Sequence, residues 1–119
     1  PLVGPISLML ALAASGMNGQ NFAFVGYVPT DTAERSKRLR ELESLAQKTG
    51  QTQMFIETPY RNVALLQSLL LGLQPATRLA TSSGLTLDTA RTHSGTVSEW
   101  KQRGWSLDNT TPTVFALGR

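Results

Sequence analysis

A chain of 119 residues, 40% hydrophobic and 16% charged, has room for one domain built on a single core. The absence of cysteine excludes disulfides, thiolate metal sites and a cysteine nucleophile, while a formal charge of +3 permits an acidic partner without demanding one. Its longest apolar run, residues 6–14, is too short to cross a bilayer and follows no basic segment, so neither a membrane span nor a signal peptide is expected and the cytoplasm is the default.

In chain order, Pro1 stands where a start methionine would, and P-L-V-G-P reads as a strand tail entering a turn, so the chain is expected to be part of something longer. After the Gly4-Pro5 turn, residues 6–14 are apolar nearly all round, as a helix covered on several sides requires, and Gly16 ends it. Aromatic and β-branched content predicts a strand over 22–28, stopped by Pro29. The clearest helix spans 31–49: Asp31 with Glu34 resembles a capping box, Leu39, Leu42, Leu45 and Ala46 form an apolar stripe, and Gly50 closes it. Glu34 with Arg38 and Lys37 with Glu41 are spaced for ion pairs on its solvated face. Arg35 and Arg38 fall on the leucine side ahead of the first leucine. A dry core cannot take them, so the helix start is expected to overhang a cleft or partner, or to send both side chains out to water.

Residues 51–62, Q-T-Q-M-F-I-E-T-P-Y-R-N, are the centre of the design. Met54, Phe55 and Ile56 predict a short buried strand, Thr58 an N-cap, and Pro59 the first helical position, which leaves Glu57 at the strand's carboxyl end. In open α/β sheets ligands collect there. A helix over 62–73 follows, then strands over 77–81 and 85–92 joined too tightly for a helical crossover and therefore antiparallel. Thr96 with Glu99 is a second capping box, opening a short helix that runs to Gly104, and residues 113–117 form the last strand.

Familiar catalytic signatures are missing. His93 has no second histidine at ligand spacing and suits a surface or capping role; Ser7 has no assignable base; no phosphate loop of Walker or dinucleotide type is present. Glu57 and Arg61 are spaced for an ion pair, and Trp100 and Trp105 belong to core packing before any stacking role.

Three stretches carry a more specific signal: P-L-V-G-P-I-S-L-M-L-A-L-A-A-S-G over 1–16, F-V-G-Y-V-P over 24–29 with E-R-S-K-R-L-R-E-L behind it, and F-I-E-T-P-Y-R over 55–61. In this order and spacing they resemble the carboxyl-terminal domain of the tetrapyrrole methylase superfamily, and within it the ribosomal small-subunit methyltransferase I branch, whose G-T-L-x-E-L segment is similar to H-S-G-T-V-S-E-W over 93–100. The resemblance implies an α/β domain with a mixed five-stranded sheet flanked by helices, a single domain over 1–119 that forms the second half of a two-domain enzyme. It implies methyl transfer from S-adenosylmethionine, without a metal, to a cytidine ribose 2′-hydroxyl in rRNA. The alternatives are a tetrapyrrole acceptor, or a non-catalytic RNA-binding or dimerisation domain.

The positions matching the family's cofactor contacts, mostly through backbone groups, are Ile6, Ser7, Gln53, Met54, Leu79, Ala80, Thr111, Pro112 and Thr113. Arg35, Lys37, Arg38 and Arg61 remain as candidates for contacting RNA phosphates. No catalytic residue is assigned, since most substrate-facing groups of the family belong to its other domain. Family members are commonly homodimers, and leucines on the 62–73 helix suit such a contact. The isolated chain is expected to be inactive and to bind cofactor weakly. Two departures stand out. The branch usually places Ser-Ala after the G-P turn, where Ile6 and Ser7 occur, and a charged R-E-L-T-K run where Thr81-Ser82-Ser83-Gly84-Leu85-Thr86 occurs, which leaves room for another acceptor.

Overall fold

The structure is a computed structural model that describes residues 21–84 and 91–119. The helix expected over 6–14, with Ile6 and Ser7, lies outside these residues, as does most of the strand expected over 85–92. Strand β1 (Phe22–Tyr27) leads to helix α1 (Thr32–Thr49), then β2 (Thr52–Ile56), a 3-10 turn (Pro59–Arg61) and α2 (Asn62–Gly72). Strands β3 (Arg78–Ser83) and β4 (Arg91–Thr96), helix α3 (Val97–Arg103) and strand β5 (Thr113–Gly118) complete the order.

The five strands form one sheet in the order β1-β2-β5-β3-β4. Strand β1 runs parallel to β2, while β5 is antiparallel to both β2 and β3, and β3 to β4, so the sheet is mixed as expected. The antiparallel pairing of β3 with β4 also holds, and β4 (Arg91–Thr96) continues past the end at Thr92 that sequence suggests. Its polar R-T-H-S-G-T run carries little strand propensity of its own, and pairing along the full length of β3 determines it.

Alternation along the strands divides the core in two. Phe55, Leu79, Phe115 and Leu117 meet Leu39 and Leu42 of α1, Leu65, Leu66 and Leu69 of α2, and Val97 and Trp100 of α3. Phe55 and Phe115 stack across neighbouring strands with ring centroids 5.7 Å apart. Buried Trp100 donates from its Nε1 to the carbonyl of Leu79 at 2.8 Å, so its polar atom is satisfied within an apolar shell. A second buried cluster, Met54, Ala80, Val114 and Ala116, consists of strand residues alone, with Phe24 and Ile56 packed at its margin.

Helix α1 starts where Asp31 accepts from the Glu34 amide at 3.0 Å and stops at Gly50, whose φ of 75° is the left-handed conformation that glycine adopts freely. At α3 both halves of the Thr96–Glu99 capping box are in place. Four expectations need correction. Leu45 is exposed, because the core-facing stripe of α1 narrows to Leu39, Leu42 and Ala46. Neither Glu34 with Arg38 nor Lys37 with Glu41 closes an ion pair; exposed pairs of this kind gain little over hydration. Thr58 makes no side-chain cap, since the chain enters α2 through the 3-10 turn and Asn109 Oδ1 accepts from the Val63 amide instead. His93 is neither a surface nor a capping residue: it packs half-buried against Trp105 and Trp100, with centroids 5.0 and 5.8 Å away.

Candidate functional site

The parallel β1–β2 pair puts the carboxyl ends of both strands on one rim, and the antiparallel neighbours bring the start of β5 and the end of β3 to it. Ile56 pairs with Tyr27 on one side and Val114 on the other, and Ser83 pairs with Thr113. Glu57, the next residue after β2, is 4% exposed. Its Oε1 accepts from the Thr58 amide at 2.7 Å and faces Arg61 Nη1 at 3.5 Å, the expected ion pair. Its Oε2 is buried and has no partner. A carboxylate can only accept, so that oxygen suits a donor from outside the described residues.

Beside it, Asn62 is fully buried and ties the rim together: its Nδ2 donates to the Thr111 carbonyl at 2.8 Å and to Thr113 Oγ1 at 3.2 Å. Thr113 Oγ1 also lies 2.8 Å from Ser83 Oγ, and the Gly84 amide donates to the Pro112 carbonyl at 3.1 Å. Asp108 organises the approach. Its carboxylate accepts from the amides of Thr110 and Thr111 and from both hydroxyls, which hold it well below the usual carboxylate range, at about 2. Sequence reasoning passed over Asn62, Asp108 and Asn109; the D-N-T-T-P run was the available signal, since Asp and Asn before Thr favour such turns.

Of the positions matched to cofactor contacts, Thr111, Pro112 and Thr113 lie at this rim. Met54 and Ala80 come together on one face, each paired with Ala116, while Gln53 and Leu79 share the next row, each paired with Leu117 on the opposite face. All four are fully buried in β2 and β3, two of the three interior strands, whose backbone groups face neighbouring strands. Met54, Leu79 and Ala80 can back a site as an apolar wall, while Gln53 Oε1 is buried there without a partner, as Glu57 Oε2 is at the rim.

The cationic candidates do not converge. Arg35 is only 7% exposed and its Nε has no partner. Little of its surface is therefore left for a phosphate contact. Arg38 is half-buried, and Lys37 lies on the outer side of α1, where Arg40, Ser44 and Lys48 line a shallow open groove with it. Arg61 is at the rim. A further charge asymmetry emerges: Asp31, Glu43, Glu57, Glu99 and Asp108 all accept internal hydrogen bonds, whereas of the 11 lysines and arginines only Arg61 closes an ion pair among the described residues. Most of the negative charge is engaged in hydrogen bonds, whereas most of the positive charge has no ion-pair partner among the described residues. Among the described residues no group of three or more histidines or acids could hold a metal ion, and no helix is long and apolar enough to cross a membrane.

The fold matches solved methyltransferases. The methyltransferase CobJ superposes with a TM-score of 0.57 over 92% of this chain and 47% of its own, at 15% identity. Uroporphyrin-III C-methyl transferase from Thermus thermophilus, complexed with S-adenyl homocysteine, gives 0.51 over 92% and 49%, at 21% identity. No family model matches the chain. In sequence it is 36% identical over 105 residues to a ribosomal RNA small subunit methyltransferase I from Micromonospora olivasterospora, covering 87% of this chain and 31% of that protein. A protein of the same name from Vibrio cholerae is 36% identical over 70 residues, covering 59% and 23%. The chain belongs to the tetrapyrrole methylase superfamily. Within it, the chain is similar to proteins named ribosomal RNA small subunit methyltransferase I, and it spans about a third or less of the length of these relatives.

Proposed function

We propose that this chain is the carboxyl-terminal domain of a two-domain S-adenosylmethionine-dependent methyltransferase acting on small-subunit rRNA, at a cytidine ribose 2′-hydroxyl. The observation that carries the reading is the 36% identity over 105 residues to a named rRNA methyltransferase. The unpaired positive charge supports an RNA acceptor, because phosphate contacts dominate nucleic-acid affinity. The solved neighbours that act on tetrapyrroles share the fold at 15–21% identity, which says nothing about the acceptor.

The residues fit the cofactor's chemistry. Its adenine amine, ribose hydroxyls and ammonium are donors and its sulfonium is cationic, and the rim offers the unpartnered acceptor Glu57 Oε2 beside half-buried Ile56. Thr111, Pro112 and Thr113 sit there on a scaffold fixed by Asn62, with Met54 and Ala80 behind. When bound, the cofactor supplies an electrophilic methyl group, and the task left to the protein is alignment of the acceptor oxygen with it. This domain's share is one wall of that cleft, so the chain alone transfers no methyl and binds cofactor weakly. A homodimer belongs to the same reading: Leu71 on α2 is 86% exposed, and equilibrium sedimentation of Leu71→Glu against the parent tests it.

The deciding experiment measures labelled methyl incorporation by the intact protein into small-subunit rRNA from a strain lacking the gene, with porphyrinoid precursors as the parallel acceptor. Incorporation into a cytidine ribose of the rRNA is expected. Incorporation into the porphyrinoid alone overturns the acceptor, and incorporation into neither overturns the activity.

A further inference from the structure

Just past Glu57 the chain presents an aromatic ring that packing does not explain. Tyr60 is 60% exposed, in the 3-10 turn that carries β2 into α2, and its hydroxyl has no hydrogen-bond partner among the described residues. The Arg61 guanidinium lies over its ring, 4.4 Å from the centroid. Arg61 is itself held from behind, by Glu57 Oε1 at 3.5 Å and Thr58 Oγ1 at 3.5 Å. A buried carboxylate thus fixes a guanidinium, the guanidinium fixes one face of an aromatic ring, and the ring's exposure leaves its other face to solvent. This happens at the rim to which the strand ends lead, on a domain where no other cation closes an ion pair among the described residues.

We propose that Tyr60 and Arg61 form a platform on which a base of single-stranded RNA stacks, with Arg61 neutralising an adjacent phosphate. The occupant follows from the chemistry. A flat π-face backed by a delocalised cation suits a planar, electron-rich ring, and the neighbouring positive charge suits a phosphodiester; a nucleotide has both. The proposal deepens the rRNA reading and rests on it. Arg61 was a candidate from sequence for phosphate alone, whereas the geometry gives it a second duty, holding the tyrosine ring in place.

The test titrates the intact protein, at fixed low salt, with a short single-stranded RNA and with an abasic oligomer of equal length and charge. Tyr60→Ala is expected to weaken RNA binding about tenfold while leaving abasic binding unchanged, and Tyr60→Trp to bind as the parent does. The ring is exposed, so Tyr60→Ala should melt with the parent, which a thermal scan checks. If Tyr60→Ala binds RNA like the parent, or loses affinity equally for both oligomers, the platform is wrong and the RNA reading stands. If the parent binds neither oligomer, the RNA reading fails and takes the platform with it.

Discussion

The helix-covered face of the sheet and its carboxyl-end rim are built from different proportions of apolar and polar groups. Under the helices most buried side chains are apolar and the largest, Trp100, has its partner in Leu79, although Arg35 Nε, Gln53 Oε1 and Thr81 Oγ1 have none. At the rim, buried groups are polar and over-determined on one side while left open on the other: Asn62 donates twice through Nδ2 yet its Oδ1 has no partner, and Glu57 repeats the pattern with its two oxygens. Unsatisfied buried polar atoms cost roughly 1–3 kcal/mol each, so the rim stores a cost that a ligand or water can relieve. One face holds the fold; the other end holds something for use.

This contrast can be broken experimentally. The largest effect should come from Trp100→Ala, which removes a fully buried indole and its hydrogen bond and should lower unfolding free energy by about 3–5 kcal/mol in denaturant titrations. A loss under about 1 kcal/mol would mean that α3 is not part of the core. Asn62→Ala should cost less, about 1–3 kcal/mol, since it frees the Thr111 carbonyl and Thr113 hydroxyl but also removes an unpaired oxygen. Its sharper signature is faster amide exchange at residues 110–113, with α3 unaffected; uniform acceleration would refute a local role.

The smallest effect is a matter of pH. Asp108 has its carboxyl depressed from 3.8 to about 2 by amide and hydroxyl donors, so the unfolded chain takes up its proton first as pH falls. The contribution is therefore complete above about pH 4 and lost as pH drops toward 2. Parent and Asp108→Asn stability curves should converge across that window, and a difference that does not change with pH would contradict the assignment. Glu99 shifts in the same direction, chiefly through the Thr96 amide, and serves as an internal comparison in α3.

The helix-covered half was largely legible in the sequence because it obeys local rules. Gly50, the Thr96–Glu99 box and the Leu39–Leu42–Ala46 stripe are each set by residues a turn or two apart. What was not legible depends on residues far away in the chain. Arg35 reads as a charge bound for water until the fold buries it, and His93 reads as a lone surface group until Trp100 and Trp105 close on it. The rim combines both kinds. Glu57, Pro59 and Arg61 announce a corner, but Asn62 gains its meaning only from Thr111 and Thr113, some 50 positions later.

Strand β5 occupies the middle of the sheet although it comes latest in the chain among the described strands. During synthesis, β1 with β2 and β3 with β4 can each pair as they emerge, yet the two pairs have no seam in common until β5 slides between them. A nascent chain halted before Thr113 would therefore carry two open ribbons with sticky inner edges, a state that chaperones should recognise and that synthesis through Gly118 should abolish.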